Sequence, residues 1–372
     1  MAKRRRRCYS GIGGQAVLEG IMMKNQEKYA VAVRKANGEI AVELENHQGL
    51  LHGSRIKEFP FIRGIFNFID SLVLGMKCLN ISASVYDEED EGKGQKESRT
   101  SGGGEKLANM LVTVFSIVLA VGIFIVLPYY LASFFRGYVR NESLMAIIEG
   151  AVRIAIFIFY VWAISIMKDI RRLYRYHGAE HKCINCIEKG RPLTVNNVMR
   201  SSRIHRRCGT SFIFFVLLVS IVLFFFVRLE NPVQRIGVRI LLMPVVAGVS
   251  YELIRLAGRS DNIIVLILSL PGMWIQRMTT KEPDREMVEV AITAVEAVFD
   301  WRTFLYDNFS YDAGEIWIAE ETDGRMSEDR EADYQEEGLP MEDELPMEDF
   351  GTDYQEDELS AEDYGENGDR IL

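Results

Sequence analysis

The chain has 372 residues, 48% of them hydrophobic, and a formal net charge of −10 that hides two opposite halves. From Glu320 to Leu372 there are 22 Asp and Glu against 3 Arg, which leaves the rest of the chain at +9. Five cysteines, an odd number and mostly clustered beside histidines, argue against a disulfide framework and suit a reducing compartment with thiols free or on metal.

The N-terminus MAKRRRRCYSGIGG is basic, but no apolar run follows it before about residue 60, so it is expected to stay cytoplasmic rather than act as a cleaved signal. Residues 1–85 read as a cytoplasmic module. Gly13-Gly14 permits an unusual turn or a close backbone approach, and it is not a nucleotide-binding fingerprint. Tyr29–Lys35 and Glu39–Glu45 alternate around Asn37-Gly38, a hairpin signal. Phe59 to Leu79 is apolar but interrupted by Arg63, Asp70 and Lys77, and reads as an amphipathic helix rather than a span. Residues 86–106 are acidic and then Gly/Ser-rich, the composition of a flexible linker.

The segment 107–276 carries the predicted membrane domain. Leu107 to Phe135 holds no charge and at 1.5 Å per residue is ample for a bilayer. Leu144 to Met167 makes a second crossing, with Glu149 and Arg153 spaced as a neutralising pair on one helix face. Cys208 to Val227 and Ile236 to Leu256 make a third and a fourth. Asn262 to Gln276 is short and broken by Pro271-Gly272, so a re-entrant or interfacial path is expected. The stretch from Lys168 to Arg207 has 11 Lys and Arg against 3 acids, which places it, with both termini, on the cytoplasmic side of a bacterial inner membrane. Residues 277–319 should contribute a helix over Glu286 to Phe299. The tail 320–372 repeats short acidic blocks and is expected to be disordered, available to a protein partner. The fold class is thus mainly α, a multi-pass helical membrane protein of about four crossings with a small hairpin-containing module. Membrane lipids are the expected partners, and no nucleic acid is.

Chemistry concentrates in 168–210. On a helix continuing from the second crossing, His177 and His181 stand one turn apart and can share one Zn²⁺, while Glu180 is placed to move a proton. His177-x-x-Glu180-His181 has the residue order of inverzincins. A third ligand is needed. Glu188 lies about 10 Å further along the same helix, and Cys183 points to the opposite face. His205 is the first choice, with Cys208, and Glu252 near the end of the fourth crossing, as others. Two alternatives stay open. Cys183-x2-Cys186 with His205-x2-Cys208 has the spacing of a closed structural zinc site, and Arg171, Arg172, Arg175, Lys182, Arg203, Arg206 and Arg207 would serve as a lipid-headgroup anchor.

The blocks GGQAVLEGIMM, PFIRGIFNFIDSL, YHGAEHKCINCIE, HRRCGTSF, LLMPVVAGVSYELIRLAGR and PGMWIQRMTTKEPD together resemble the bacterial YqhQ-like membrane family (domain of unknown function 1385) over about residues 11–300. The resemblance implies a metal-dependent enzyme with no defined reaction. The expectation is a divalent metal, Zn²⁺, on His177, His181, His205 and Cys208, with Glu180 as general acid/base for hydrolase-like chemistry at the membrane face; the alternative is a non-catalytic scaffold or lipid-binding protein.

Overall fold

The structure is a computed structural model that describes residues 8–50, 52–53, 55, 59–90, 103–205, 208–227, 229, 231–259, 262–311, 318–319 and 321. Arg206, Arg207, the middle of the expected linker and the acidic tail apart from Glu321 lie outside the described residues.

The chain is mainly helical with one small sheet. Strands β1 (Gly13–Val17), β2 (Gly20–Asn25), β3 (Lys28–Arg34) and β4 (Ile40–Asn46) form an antiparallel meander in chain order. The hairpin expected at Asn37-Gly38 is β3–β4, in which Arg34 faces Ile40 and Gly38 takes a φ of +88°. The β1–β2 hairpin has no such signature: its turn passes through Glu19 at a φ of 49°.

Alternate residues of β2 and β3 feed two different cores. Ile21, Met23, Ala30 and Ala32 face α5 (Lys168–Glu188) and α11 (Arg285–Val298). Met22, Tyr29, Val31 and Val33 face α1 (Ile62–Asp90) through Leu74 and Cys78. A sheet covered on both faces reads as continuous apolar sequence, which is the pattern of β2. Helix α12 (Trp301–Phe309) closes the first core with Trp301, whose Nε1 donates to Glu296 at 3.0 Å.

Most of the remaining helices are apolar. Helix α2 (Gly103–Val121) continues through a π-helical turn at Gly122–Val126 into α3 (Leu127–Ser133), and α4 is Glu142–Ser165. By length and composition Ile62–Val85, Met110–Gly137 and Glu142–Ser165 are each able to cross a membrane, as is the pair formed by α8 (Pro232–Leu241) and α9 (Met243–Arg259), bent by 44°. Among the described residues the number of such candidates is three to four. α1 is therefore longer and more span-like than an amphipathic surface helix, and its interrupting charges are absorbed by partners. Arg63 forms a forked pair with Glu252 of α9 at 2.7 and 2.6 Å, beside a Gly64–Gly248 crossing with no room for a Cβ on either side. Helix α7 (Gly209–Phe225) is apolar but shorter, at 17 residues.

Three local expectations change. Met167 is extended, with ψ at 134°, so α5 starts afresh instead of continuing α4. Both ends of the expected linker are helical, as the last turn of α1 and the first of α2. Residues Ile263–Thr279 form one helix, α10, that runs through Pro271; Gly272 seats against Ser211 of α7, a tertiary contact that outweighs the local break signal. The Glu149–Arg153 pair is also larger than expected. Arg239 of α8 clasps the same carboxylate, with Nη2 at 2.9 Å, while Arg153 reaches Glu149 at 3.0 Å and the Phe124 carbonyl at 3.1 Å.

Candidate metal centre

Helix α5 is buried from Tyr176 to Glu188 except at His177, which is half-buried, because it is wedged between the sheet and α11. Gly178 allows residues 279–283 to lie directly on the helix. Lys281 N–H donates to the Tyr174 carbonyl at 2.9 Å, and a Cβ at 178 would run into the Lys281 carbonyl. That contact sets Thr279 against His177, whose Nδ1 is 2.9 Å from the Thr279 carbonyl. His181 is fixed the same way, with Nδ1 2.6 Å from the Arg203 carbonyl. A carbonyl accepts only from N–H, so both rings carry a proton on Nδ1 and turn Nε2 inward.

Cys208 meets those nitrogens. It is the N-cap of α7, where the helix dipole favours negative charge, and its Sγ lies 3.1 Å from His177 Nε2. One donor atom each from His177, His181 and Cys208 fall within 4.8 Å of one another, the group of this kind found among the described residues. Burial disfavours the Cys208 thiolate, but the two histidines beside it prevail and hold its pKa well below the ordinary thiol range. Burial likewise opposes charge on His177, and the Cys208 thiolate overcomes it, raising the imidazole to about 9. Without a cation the site balances itself as an imidazolium–thiolate pair.

Glu180 adjoins this group. It is 5% exposed, burial pushes its pKa up against the pull of His177 and His181, and the Gly14 backbone N–H donates to it. Its Oε2 is buried and has no hydrogen-bond partner among the described residues. An orphaned carboxylate oxygen costs about 1–3 kcal/mol, which a proton or a bound ligand would offset. A Cβ on Gly14 would stand 3.1 Å from the Glu180 carboxyl carbon, so the close approach foreseen at Gly13-Gly14 is made by Gly14 to this group.

Of the other expected site residues, His205 packs its ring against His181 at 5.8 Å but directs Nε2 to Glu188 at 3.4 Å; Glu188 also accepts from Ser10 Oγ at 3.0 Å. Cys183 lies in the apolar core, where burial drives its thiol pKa well up, and Cys186 donates to the Pro192 carbonyl at 3.4 Å. Neither belongs to the three-donor group. Glu252 is engaged by Arg63.

The residues that hold the loop 199–205 in place were not foreseen. Lys182 donates to the Met199 carbonyl at 2.8 Å, and Asn185 to those of Ser202 and Ile204 at 2.7 and 3.0 Å. Gln276, fully buried, accepts from His205 N at 3.0 Å and donates to the His205 carbonyl and Ser211 Oγ, both at 2.7 Å. Its place inside the apolar stretch ending α10 was the available signal, since a buried amide must be satisfied.

The set suits a borderline-soft divalent cation: two imidazole nitrogens with fixed tautomers, one thiolate, and a carboxylate alongside. A family model described as a protein of unknown function (DUF1385) matches residues 59–301, which contain all four residues. The chain is 36% identical over 284 residues to the "Uncharacterized protein YqhQ" of Bacillus subtilis (strain 168), covering 75% of this chain and 89% of that protein. No solved structure matches it. On both the family match and the relative, the chain belongs to the YqhQ-like DUF1385 family.

Proposed function

We propose that this chain is a multi-pass inner-membrane protein with cytoplasmic termini, and a metal-dependent enzyme of hydrolytic type acting at the cytoplasmic membrane face. The observation that carries the reading is the convergence of His177, His181 and Cys208 beside a buried carboxylate with a free oxygen. Two nitrogens and a sulfur leave a fourth position, the arrangement of catalytic rather than closed zinc sites. A bound Zn²⁺ would supply a Lewis acid that polarises the scissile group and activates water.

The chain's own residues do the rest. The Thr279 and Arg203 carbonyls hold the imidazoles in the ligating tautomer. His177 and His181 keep Cys208 in its thiolate form, and Thr210 N–H lies 3.4 Å from Sγ. Glu180, anchored by Gly14 N–H, takes the proton of the attacking water and returns it to the leaving group; its raised pKa moves it toward the working range of a general acid/base. The burial of His181, at 1% exposure, favours a second reading in which the same cation only ties α5 to α7. Cobalt replacement tests the site directly: a thiolate-to-cobalt absorption that Cys208→Ser abolishes supports it, and its absence in the parent protein contradicts it. A Glu180→Gln variant that keeps that absorption but fails to complement a strain deleted for the protein selects catalysis; one that keeps the absorption and complements selects the structural role.

A further inference from the structure

A cavity of about 560 Å³ opens where α4 ends, α5 begins and α10 ends. Its polar wall is Arg171, Arg175, Arg277 and Lys281, and among the described residues lining it there is no carboxylate. Arg175 is engaged by Asp284 at 3.0 Å. Arg171, Arg277 and Lys281 form no ion pair with any described residue, and the neighbouring Arg203 and Arg171 add to burial in depressing the Lys281 ammonium. Unbalanced cations at one cleft repel each other and lower the free energy of any anion that enters.

The rest of the lining is mainly apolar. Trp162 and Trp274, both about half exposed, line the cleft together with Ile166 and Met278. Tryptophans at the ends of apolar helices mark the bilayer interface, and basic pockets between such helices suit lipid headgroups. Few small ligands need both walls. An amphiphile with an anionic head and a hydrocarbon tail does.

We propose that this cleft is a binding site for an anionic glycerophospholipid, its phosphodiester among Arg171, Arg277 and Lys281 and its acyl chains along Trp162, Ile166 and Trp274. The site rests on the membrane reading above and not on the metal reading. It also has a route to the triad, because Lys281 lines the cleft two residues from Thr279, which orients His177. A lipid seated there bears on the same 279–281 segment that fixes the imidazole.

The test is native mass spectrometry of the full-length detergent-solubilised protein titrated with phosphatidylglycerol, phosphatidylcholine or inorganic phosphate. Saturable binding of phosphatidylglycerol over phosphatidylcholine is expected, weakened by about tenfold or more in Arg171→Gln/Arg277→Gln, since two charge-assisted contacts are lost. Should that double variant fail to fold, Lys281→Gln is read in its place, and Arg172→Gln, whose partner is Glu19, should bind as the parent does. Equal binding of the two lipids, unchanged affinity in the cleft variants, or saturable phosphate binding without lipid preference overturns the assignment. Carbonate washing of membranes keeps the two readings apart: release of the protein overturns the membrane reading itself, whereas retention without lipid preference overturns the cleft alone.

Discussion

Gly178 of α5 lies so close to the Lys281 carbonyl that no Cβ fits between them. This contact delivers the Thr279 carbonyl to His177 Nδ1, so a helix-favouring substitution should be harmful here. Alanine gains roughly 1 kcal/mol of helix propensity over glycine, yet it must push residues 279–283 away at an overpacking cost of about 1–3 kcal/mol. Gly178→Ala is expected to lower stability in denaturant unfolding and to reduce metal content together. A variant more stable than the parent would show that the segment does not bear on the helix.

The sequence made some of this legible and hid the rest for physical reasons. The charge-free run 107–135 locates α2 and α3, and a long apolar run interrupted only by the Glu149–Arg153 pair locates α4, because such runs are tolerated only in apolar burial or lipid. The i, i+4 histidines are equally plain, being a property of one helix. The true extent of α1 is hidden by Arg63, Asp70 and Lys77, which look like interruptions until their partners Glu252, His47 and Glu45 are seen. The choice between His205 and Cys208 as third donor turns on the path of a loop stapled by Lys182, Asn185 and Gln276, contacts that no residue spacing encodes. Cys208 has a local signal that His205 lacks: it heads an apolar helix, as a cap.

The buried cluster of Glu149, Arg153 and Arg239 should be asymmetric in its response. Removing the shared carboxylate leaves two buried guanidiniums, whereas removing Arg153 leaves Glu149 still held by Arg239. Breaking a buried ion pair costs about 3–5 kcal/mol. Glu149→Gln is therefore expected to lower thermal stability in detergent more than Arg153→Gln does. The reverse order would show that Arg153 acts through the Phe124 carbonyl and not through the carboxylate.

Cation affinity should rise with pH through the neutral range. In the cation-free protein His177 is protonated up to about 9, and a ligating imidazole must be neutral, so binding displaces one proton. Zinc affinity measured against a competing chelator is expected to increase by about tenfold per pH unit below about 9 and to flatten above it. A flat profile from pH 6 to 8 would mean that His177 is not a ligand.

Cys183 and Cys186 should matter to folding and not to metal. Cys183 is fully buried among apolar neighbours, so Cys183→Ser places a hydroxyl in the core at a cost of about 1–3 kcal/mol. Cys183→Ser and Cys186→Ser are expected to lower the unfolding midpoint and to keep the parent metal content once folded. Loss of metal from the folded variants would favour the closed Cys₃His site instead.

The most direct measurement is elemental analysis of the purified full-length protein beside His181→Ala, Cys208→Ala and His205→Gln. About one equivalent of transition metal is expected in the parent and in His205→Gln, as one cation serves one three-donor site, with negligible metal in the other two. Negligible metal in the parent after zinc supplementation, or retention of the parent amount in Cys208→Ala, would contradict the three-donor centre on which the functional account stands.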